Sequence, residues 1–247
     1  MRVGIFSGSS LSREDMVTKV RRTQPMSGSY LVDKVSTKKE EIFTHNLLNQ
    51  KNIEFKVAAL DLGIKAATPA NFARRGIETH VLPFNTTFES ITQGGFDGLF
   101  LSNGPGDPAT MAETVETIRK ALSAALPIFG ICFGHQILGR ALGFDTYKLR
   151  FGHRGINQPV YNRVLDRVEI TAHNHGFAVE APTEGDFATV FGTGMISHVN
   201  LNDNVVEGLR MKDVPAFSVQ YHPEAAAGPH DANYLFDEFL ELMRKNA

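Results

Sequence analysis

The chain has one cysteine in 247 residues, Cys132, and no long hydrophobic run. A single cysteine allows no internal disulfide, so the sequence fits a reducing compartment, and we expect a cytoplasmic protein. The first residues carry too short an apolar run for a signal peptide. No segment approaches the ~20 consecutive apolar residues that span a bilayer, so no membrane partner is expected.

The sequence also lacks an excess of charge of either sign. Its formal net charge of −2 gives no electrostatic reason to expect nucleic acid or an anionic membrane as a partner. The hydrophobic fraction of 42% supports a sizeable core. The length fits one α/β domain, or one domain with an additional fragment.

Residues 1–52 differ in composition and hydrophobic patterning from residues 53–247. The first segment is polar, has clustered charges, and is too small to form a core of its own. Ser12 is predicted to cap a helix within it. The segment is interpreted either as a solvated helical appendage or as the remnant of a larger domain with its linker, and residues 53–247 as the main domain.

The main domain has the pattern of an α/β fold. Strand-like runs at residues 55–60, 77–82, 96–101 and 127–131 alternate with helical segments, which predicts a mostly parallel central sheet flanked by helices. Thr68 and Pro69 are predicted to open one helix and Asp107 to cap another. Beyond these lie short strand-like runs, at residues 146–149, 158–161, 168–172, 188–192, 205–209 and 216–220, and an amphipathic helix at 231–245.

Cys132 lies in a Gly-x-Cys-x-Gly pattern between an apolar run and an amphipathic helix. A strand that turns abruptly into a helix strains the residue at the turn, and Gly130 and Gly134 would remove clashing side chains there. The turn would leave the thiol at a helix N-terminus, which favours the thiolate. A buried structural cysteine is the commoner fate of a lone cysteine, but the two glycines favour a nucleophile.

A cysteine nucleophile needs a base, and the base needs a group that orients it. His222 directly follows the apolar strand at 216–221, and Glu224 lies two residues further on. A carboxylate beside the imidazole can fix its tautomer. The His-Pro-Glu sequence could occur by chance in a surface loop, but together with the cysteine turn it indicates a triad of Cys132, His222 and Glu224.

The same chemistry needs donors for an oxyanion. The backbone N–H of Phe133 is the natural first donor, and the loop containing Gly104 and Gly106 could supply the second. The alternative interpretation of this loop is an ordinary tight turn. A phosphate-binding loop is not expected, because no Lys-Ser/Thr pair follows the glycines.

His173 and His175 would share one face of a strand, with His135 and His153 elsewhere in the chain. Because no second cysteine exists and no carboxylate stands at ligand spacing, we expect no metal site. A patch that holds a polar substrate is the preferred interpretation.

The chain resembles class I glutamine amidotransferases and, within them, the small (glutaminase) subunits of carbamoyl phosphate synthases. The motifs that carry this resemblance lie at residues 59–65, 101–108, 129–136, 151–159, 174–179, 220–225 and 228–231. The resemblance implies an amidotransferase domain at 53–247, with a smaller antiparallel sheet beside the parallel one. It also implies that residues 1–52 are the last part of an N-terminal domain, most of which is lacking.

The resemblance implies that Cys132 attacks the side-chain amide of glutamine, that His222 shuttles the proton and that Glu224 orients His222. The implied glutamine site consists of Gly104, Gly106, Phe133, Gln136, Asn174, Gly176 and Phe177. Ammonia would pass to a large synthetase subunit, which would use ATP and Mg to make carbamoyl phosphate for arginine and pyrimidine synthesis. No cofactor is expected in this chain.

Two positions depart from the pattern of that family: Phe133 stands where leucine is common, and His173 where glutamine is frequent. Two alternative functions remain at this point. One is a non-catalytic relative that docks to a synthetase or regulates it. The other is a free-standing thiol hydrolase of γ-glutamyl compounds.

Overall fold

The computed structural model describes residues 2–8, 10–43 and 53–247. The described α-helices are α1 (Arg13–Arg22), α2 (Ala67–Ala73), α3 (Phe88–Gln93), α4 (Ala112–Ser123), α5 (Phe133–Ala141) and α6 (Leu235–Arg244). The described strands are β1 (Glu41–Phe43), β2 (Phe55–Asp61), β3 (Ile77–Pro83), β4 (Gly98–Leu101), β5 (Ile128–Ile131), β6 (Asp145–Asn162), β7 (Arg167–Glu180), β8 (Asp186–Thr189), β9 (Gly192–Asn200), β10 (Val206–Met211) and β11 (Ala216–Val219).

The strands form one sheet in the order β1-β3-β2-β4-β5-β11-β10-β9-β6-β7, with β8 paired to β9. Strands β3, β2, β4, β5 and β11 are parallel to their neighbours in this series. The pairings of β10, β9, β8, β6 and β7 are antiparallel. This architecture confirms the predicted α/β class, with a parallel centre and a smaller antiparallel part.

The central strands are apolar at consecutive positions because both faces of the sheet are covered. In β2 the successive side chains alternate between two cores. Ala58 and Leu60 pack into the core that contains α4 and α5, whereas Val57 and Ala59 pack into the core beneath α2 and α6. The second core is rich in phenylalanine, and Phe129 stacks on Phe217 from the neighbouring strand, with ring centroids 4.5 Å apart.

The predicted start of α2 was wrong. Thr68 is not the N-cap; it lies inside the helix, which begins at Ala67. The hydroxyl of Thr68 has no hydrogen-bond partner among the described residues, and the backbone N–H of Thr68 already donates to the carbonyl of Lys65 at 2.9 Å, so the helical turn starts before Thr68. Pro69 then occupies a first-turn position where an N–H would have no partner within the helix.

The helix after Asp107 also differs from the prediction. Asp107 does cap a turn, because its side chain accepts from the N–H of Ala109, but this turn is a short 3₁₀ helix. The α-helix follows separately, from Ala112 to Ser123. The C-terminal helix likewise begins at Leu235, later than predicted.

The antiparallel part was predicted least well. Residues 146–149 and 158–161 belong to one long strand, β6, whose pairing with β7 has register shifts between Lys148 and His153 and between Gly155 and Gln158. β9 was not predicted. Its burial is irregular, with a run of buried residues at its end, so it does not show the alternation typical of a half-exposed strand.

The N-terminal segment makes defined contacts with the main domain. Ser12 caps α1 as predicted, accepting from the N–H of Asp15 at 3.1 Å. Val32 is buried in the core, and Glu41 of β1 pairs with Val81 of β3. The predicted domain boundary at residue 52 lies outside the described residues.

A search for spanning helices in the described part of the chain found none with the length and apolarity needed to cross a membrane.

Candidate active site

The cysteine turn joins β5 to α5. Cys132 has φ 54° and ψ −101°, a backbone conformation that residues other than glycine rarely adopt. Its side chain is 5% exposed and lines a cavity at the sheet edge. The first N–H groups of α5 begin directly beside the thiol, and such groups have no partner within a helix.

Glycine is required on both sides of Cys132, as predicted. A Cβ on Gly130 would lie 2.9 Å from the backbone of Gly134. A Cβ on Gly134 would lie 2.1 Å from the carbonyl oxygen of Leu101 in β4. The turn therefore packs helix backbone directly against strand backbone, which fixes the position of the thiol.

His222 and Glu224 follow β11, the parallel neighbour of β5. Because Val219 pairs with Ile131, the two strands end at the same edge of the sheet. The Nδ1 of His222 donates to Glu224 Oε1 at 2.8 Å, and Cys132 lies near enough to the imidazole for its charge to raise the pKa of His222. With Nδ1 held by Glu224, Nε2 is the nitrogen left for the thiol. The structure thus brings together the three predicted catalytic residues.

The electrostatics favour the charged forms of His222 and Glu224. Burial acts to lower the pKa of His222, but the charge of Cys132 and hydrogen bonds with Cys132 and Glu224 raise it above its usual 6.5. Burial acts to raise the pKa of Glu224, but the hydrogen bond and charge of His222 and the charge of Lys65 lower it. The arrangement stabilises an imidazolium at His222 beside the Glu224 carboxylate.

Lys65 is a member of this group to which the sequence analysis gave no role. Its Nζ donates to Glu224 Oε1 at 3.1 Å and lies 3.1 Å from His222 Nδ1. Glu224 Oε1 therefore accepts two hydrogen bonds, one from His222 Nδ1 and one from Lys65 Nζ, and the two nitrogens lie close together for that reason. The Lys65 side chain is 49% exposed and that of Glu224 is buried, so Lys65 is the partner in this ion pair that contacts solvent. Its position just after β2, at the same edge of the sheet, was the available signal.

The cavity beside the thiol has a volume of about 730 Å³. Its lining includes Cys132 and all seven residues predicted for glutamine: Gly104, Gly106, Phe133, Gln136, Asn174, Gly176 and Phe177. Gln136 also joins two walls, because its Nε2 donates to the carbonyl of Phe177 and to Gln220, each at 2.9 Å.

The glycines of the 103–108 loop have a packing reason as well. A Cβ on Gly104 would lie 2.0 Å from the carbonyl oxygen of Leu62. Gly106 has φ +108°, and a Cβ there would lie 2.8 Å from the carbonyl oxygen of Ser29. The loop is therefore held between β2 and the N-terminal segment.

Comparison with known families identifies the family of this fold. The family described as "Glutamine amidotransferase class-I" matches residues 58–242. The chain belongs to this family. The range includes the cysteine turn, the glycine loop and the His222–Glu224 pair of the amidotransferase.

Curated relatives of this amidotransferase are carbamoyl phosphate synthase small chains. The small chain of Streptomyces avermitilis is 58% identical over 244 residues, which cover 98% of this chain and 63% of the relative. The small chain of Mycobacterium tuberculosis is 55% identical over 245 residues, covering 98% and 65%. That of Bifidobacterium longum is 52% identical over 264 residues, covering 100% and 64%. The amidotransferase chain thus spans less than two thirds of their length.

Solved structures share the fold at low identity. A putative GMP synthase protein from Thermoplasma acidophilum has a TM-score of 0.63 at 19% identity, covering 78% of this chain and 95% of its own. A glutamine amidotransferase from Thermotoga maritima has a TM-score of 0.52 at 15% identity, covering 78% and 85%. Both likenesses support the amidotransferase fold.

The sequence analysis missed part of the cavity of this amidotransferase. Arg2, Val3 and residues 24–27 line one side, and Lys148, Phe151 and Arg154 line another. The N-terminal wall is attached to the glycine loop, because Asp107 Oδ2 accepts from the N–H of Gly28 at 2.7 Å. Phe151 and Arg154 lie in the motif at 151–159, for which the sequence analysis gave no binding residue, and the others lie in segments that no motif marks.

Replacement of Gly134 by alanine is expected to destabilise the amidotransferase, because the added Cβ would overlap the carbonyl of Leu101. We expect a loss of at least about 2 kcal/mol in the free energy of unfolding, measured by urea denaturation. Gly228→Ala is the matched control, since its Cβ would meet ordinary contacts of 3.4–3.5 Å. Equal stability of the two variants would contradict the account of the turn.

Alkylation by iodoacetamide at pH 6.5 tests whether the His222 imidazolium acts on the thiol of Cys132. Because the pKa of His222 is raised above its usual 6.5, the imidazolium persists as the pH rises through that value and is lost only above the raised pKa. We expect His222→Asn to slow alkylation of Cys132 at least tenfold, an order-of-magnitude figure for loss of the thiolate partner. The control is His80→Asn. His80 lies on β3, where it hydrogen-bonds Glu40 and Glu78, so its replacement should leave the alkylation rate unchanged. An unchanged rate in His222→Asn would show that this imidazole does not act on the thiol.

Proposed function

We propose that this chain is the glutaminase component of a carbamoyl phosphate synthase, hydrolysing glutamine and delivering ammonia to a large synthetase subunit. The observation that carries the proposal is the alignment of Cys132, His222 and Glu224 at one sheet edge, with the thiol opening on the 730 Å³ cavity. Members of the amidotransferase family supply ammonia to different syntheses. The relatives named carbamoyl phosphate synthase small chains support carbamoyl phosphate synthesis as the one served by this chain.

In the first step the Cys132 thiolate attacks the side-chain amide carbon of glutamine. His222 donates its Nε2 proton to the departing nitrogen, so that ammonia leaves and a γ-glutamyl thioester remains. In the second step a water molecule gives a proton back to His222 as it attacks the thioester, which releases glutamate and the thiolate. Glu224 holds Nδ1 throughout and stabilises the imidazolium.

The negative charge that develops on the amide oxygen in each step needs preorganised donors. The N–H of Phe133 lies at the start of α5, where helical N–H groups have no internal partner. The 103–108 loop lies between β2 and the N-terminal segment and presents Gly104 and Gly106 to the cavity. We assign the oxyanion to these two elements.

The remaining polar ends of glutamine would be held by the far wall of the cavity. Lys148 and Arg154 present cations there, and Lys148 Nζ lies 5.5 Å from the ring centroid of Phe177. Burial, and then the charge of Arg154, lower the pKa of Lys148. A carboxylate between the two cations would relieve their repulsion, which fits the α-carboxylate of glutamine.

We assign the use of the ammonia to a partner of this chain. A carbamoyl phosphate product requires bicarbonate and ATP with Mg, which a large synthetase subunit would bind. Nothing in the glycine loop matches a nucleotide-binding pattern. The proposed partner is therefore the large subunit, and the proposed substrate of this chain is glutamine alone.

Replacement of Cys132 by serine is the direct test of this function. We expect glutamate release by the purified chain, alone and with a large subunit, to fall by at least about 10³-fold, because the hydroxyl is a far weaker nucleophile at neutral pH. Glutamate release is measured by a coupled dehydrogenase assay. His80→Asn is the control and should retain wild-type activity.

The outcomes of that assay separate the competing functions. Activity that survives in Cys132→Ser would refute the thiol mechanism. Binding to the large subunit without any glutamine hydrolysis in the wild-type chain would indicate a docking relative. Hydrolysis whose rate does not respond to ATP or to a bound large subunit would indicate a free-standing hydrolase.

Replacement of Lys148 by glutamine tests the assignment of the cavity cations. We expect KM for glutamine to rise about tenfold with kcat nearly unchanged, because the lysine binds substrate and transition state equally. The measurement is steady-state glutaminase kinetics. Lys120→Gln is the control, since Lys120 pairs with Glu89 on the helical face, away from the cavity. A lowered kcat with unchanged KM would contradict the assignment.

A further inference from the structure

A second cluster of ionisable side chains lies in the antiparallel part of the sheet. His153 of β6, His173 and His175 of β7 and Glu207 of β10 each direct one nitrogen or oxygen atom to a common point, and these atoms all lie within 4.8 Å of one another. His173, His175 and Glu207 are buried, and His153 is partly buried. The proposed chemistry of Cys132 does not use these four side chains.

The fold brings the four residues together through irregularities in the strands. His173 and His175 share a face of β7, and His153 pairs directly with His175 across the ladder. The ladder of β6 shifts register on both sides of His153, and that of β10 shifts between Val206 and Gly208, at Glu207. Bulges of this kind re-aim side chains. Glu207 is the carboxylate that the sequence analysis did not find at ligand spacing, because a distant strand supplies it.

The proton positions on His175 follow from its outer partner. Nδ1 lies 2.9 Å from the carbonyl oxygen of Phe177, which can only accept a hydrogen bond. Nδ1 therefore carries the proton. In the neutral ring, Nε2 is then an unprotonated nitrogen whose lone pair faces the cluster.

The same reasoning applies to His173. The Thr171 hydroxyl donates to the carbonyl of Gln158 at 2.9 Å, so its oxygen accepts from His173 Nε2 at 2.7 Å. Nδ1 of the neutral ring is then unprotonated and lies 3.1 Å from Nε2 of His175. Two lone pairs facing each other at this distance repel unless a cation lies between them.

Glu207 adds a negative charge to the same point. Its side chain is fully buried, and Oε2 has no hydrogen-bond partner among the described residues. Oε2 lies 3.9 Å from His175 Nε2, and Oε1 lies 3.7 Å from His173 Nδ1 and 2.9 Å from His153 Nδ1. A buried carboxylate oxygen and two bare imidazole nitrogens together form a binding site for a positive ion.

We propose that His153, His173, His175 and Glu207 bind a divalent transition-metal ion, with Zn²⁺ as the best match. Ligands ~2.0–2.1 Å from a tetrahedral zinc ion lie ~3.3 Å from one another. The four distances given above lie between 2.9 and 3.9 Å, and all the ligand atoms lie within 4.8 Å of one another, so small side-chain shifts would bring them around one ion. On binding, His153 Nδ1 releases to solvent the proton that it shares with Glu207. Four protein ligands leave no open position, which is typical of a structural zinc site.

The outer partners of the histidines match those of known metal ligands. Histidines that bind metals donate their other N–H to a carboxylate, a carbonyl or another acceptor, which fixes the ring orientation. Here His153 Nε2 faces Asp203 at 2.8 Å, His173 Nε2 faces Thr171 and His175 Nδ1 faces the Phe177 carbonyl. The outer partners therefore hold each ring with its inner nitrogen directed at the metal.

A metal ion bound at this site would stabilise the wall of the cavity that β7 forms. His175 lies between Asn174 and Gly176, two residues of the cavity lining, and Glu207 belongs to β10 on the far side. An ion bound by both strands would fix their separation. The consequence is a metal that stabilises the wall without touching the reacting thiol.

The test measures zinc content and thermal stability of the whole chain. The wild-type chain is stripped with a chelator, incubated with one equivalent of Zn²⁺, desalted and analysed by mass spectrometry of the metal. We expect about one zinc ion per chain and a rise in melting temperature of about 5 °C or more. Co²⁺ in place of Zn²⁺ should give the visible absorption of a tetrahedral ion.

Variants separate this site from others that bind zinc. His173→Gln should lose at least about 100-fold in zinc affinity, the scale seen when a ligand or its support is removed. His198→Gln, another buried histidine of the same sheet, and Cys132→Ser should both retain the ion. Retention of zinc by His173→Gln, or its loss from Cys132→Ser, would overturn the proposal. The proposal would also be overturned if the folded wild-type chain bound no Zn²⁺ and gave no tetrahedral Co²⁺ spectrum. This result does not depend on whether any variant folds.

Discussion

The backbone of Cys132 is the constraint on which the rest of the site depends. A non-glycine residue at φ 54° costs about 1–2 kcal/mol, so the surrounding structure must hold it there. Gly134 packs on the carbonyl of Leu101, and Gly130 packs on Gly134. These backbone contacts fix the position of α5 relative to β4 and β5. Because strain and close packing occur at the same turn, the thiol has little freedom to move away from His222.

In the proposed function, the parallel part of the sheet carries the reacting side chains, and the antiparallel part forms the opposite wall of the cavity. Lys65, the 103–108 loop, Cys132 and His222 follow the carboxyl ends of β2, β4, β5 and β11, where α/β proteins generally bind ligands. The facing residues come from β6 and β7. The link between the two parts is β11, which is parallel to β5 and antiparallel to β10.

The sequence predicted those features that a few neighbouring residues determine. The cysteine turn is encoded by Gly130 and Gly134, and the histidine pair by residues 222–224, so both were predicted. Lys65, the cavity wall at residues 24–27 and the carboxylate of Glu207 were missed because distant strands bring them into place. The start of α2 was misplaced because Thr68 makes no side-chain cap and its backbone N–H already donates to the carbonyl of Lys65.

The central position of β11 has a consequence for how the protein is made. On the ribosome, β5 and β10 emerge before β11, so each presents an unpaired edge in the meantime. Nascent chains with open strand edges are prone to aggregate and to depend on chaperones. Cys132 also emerges well before His222, so the two side chains meet only when β11 inserts between the two halves of the sheet. Completion of the sheet and assembly of the Cys132, His222 and Glu224 group are therefore one event.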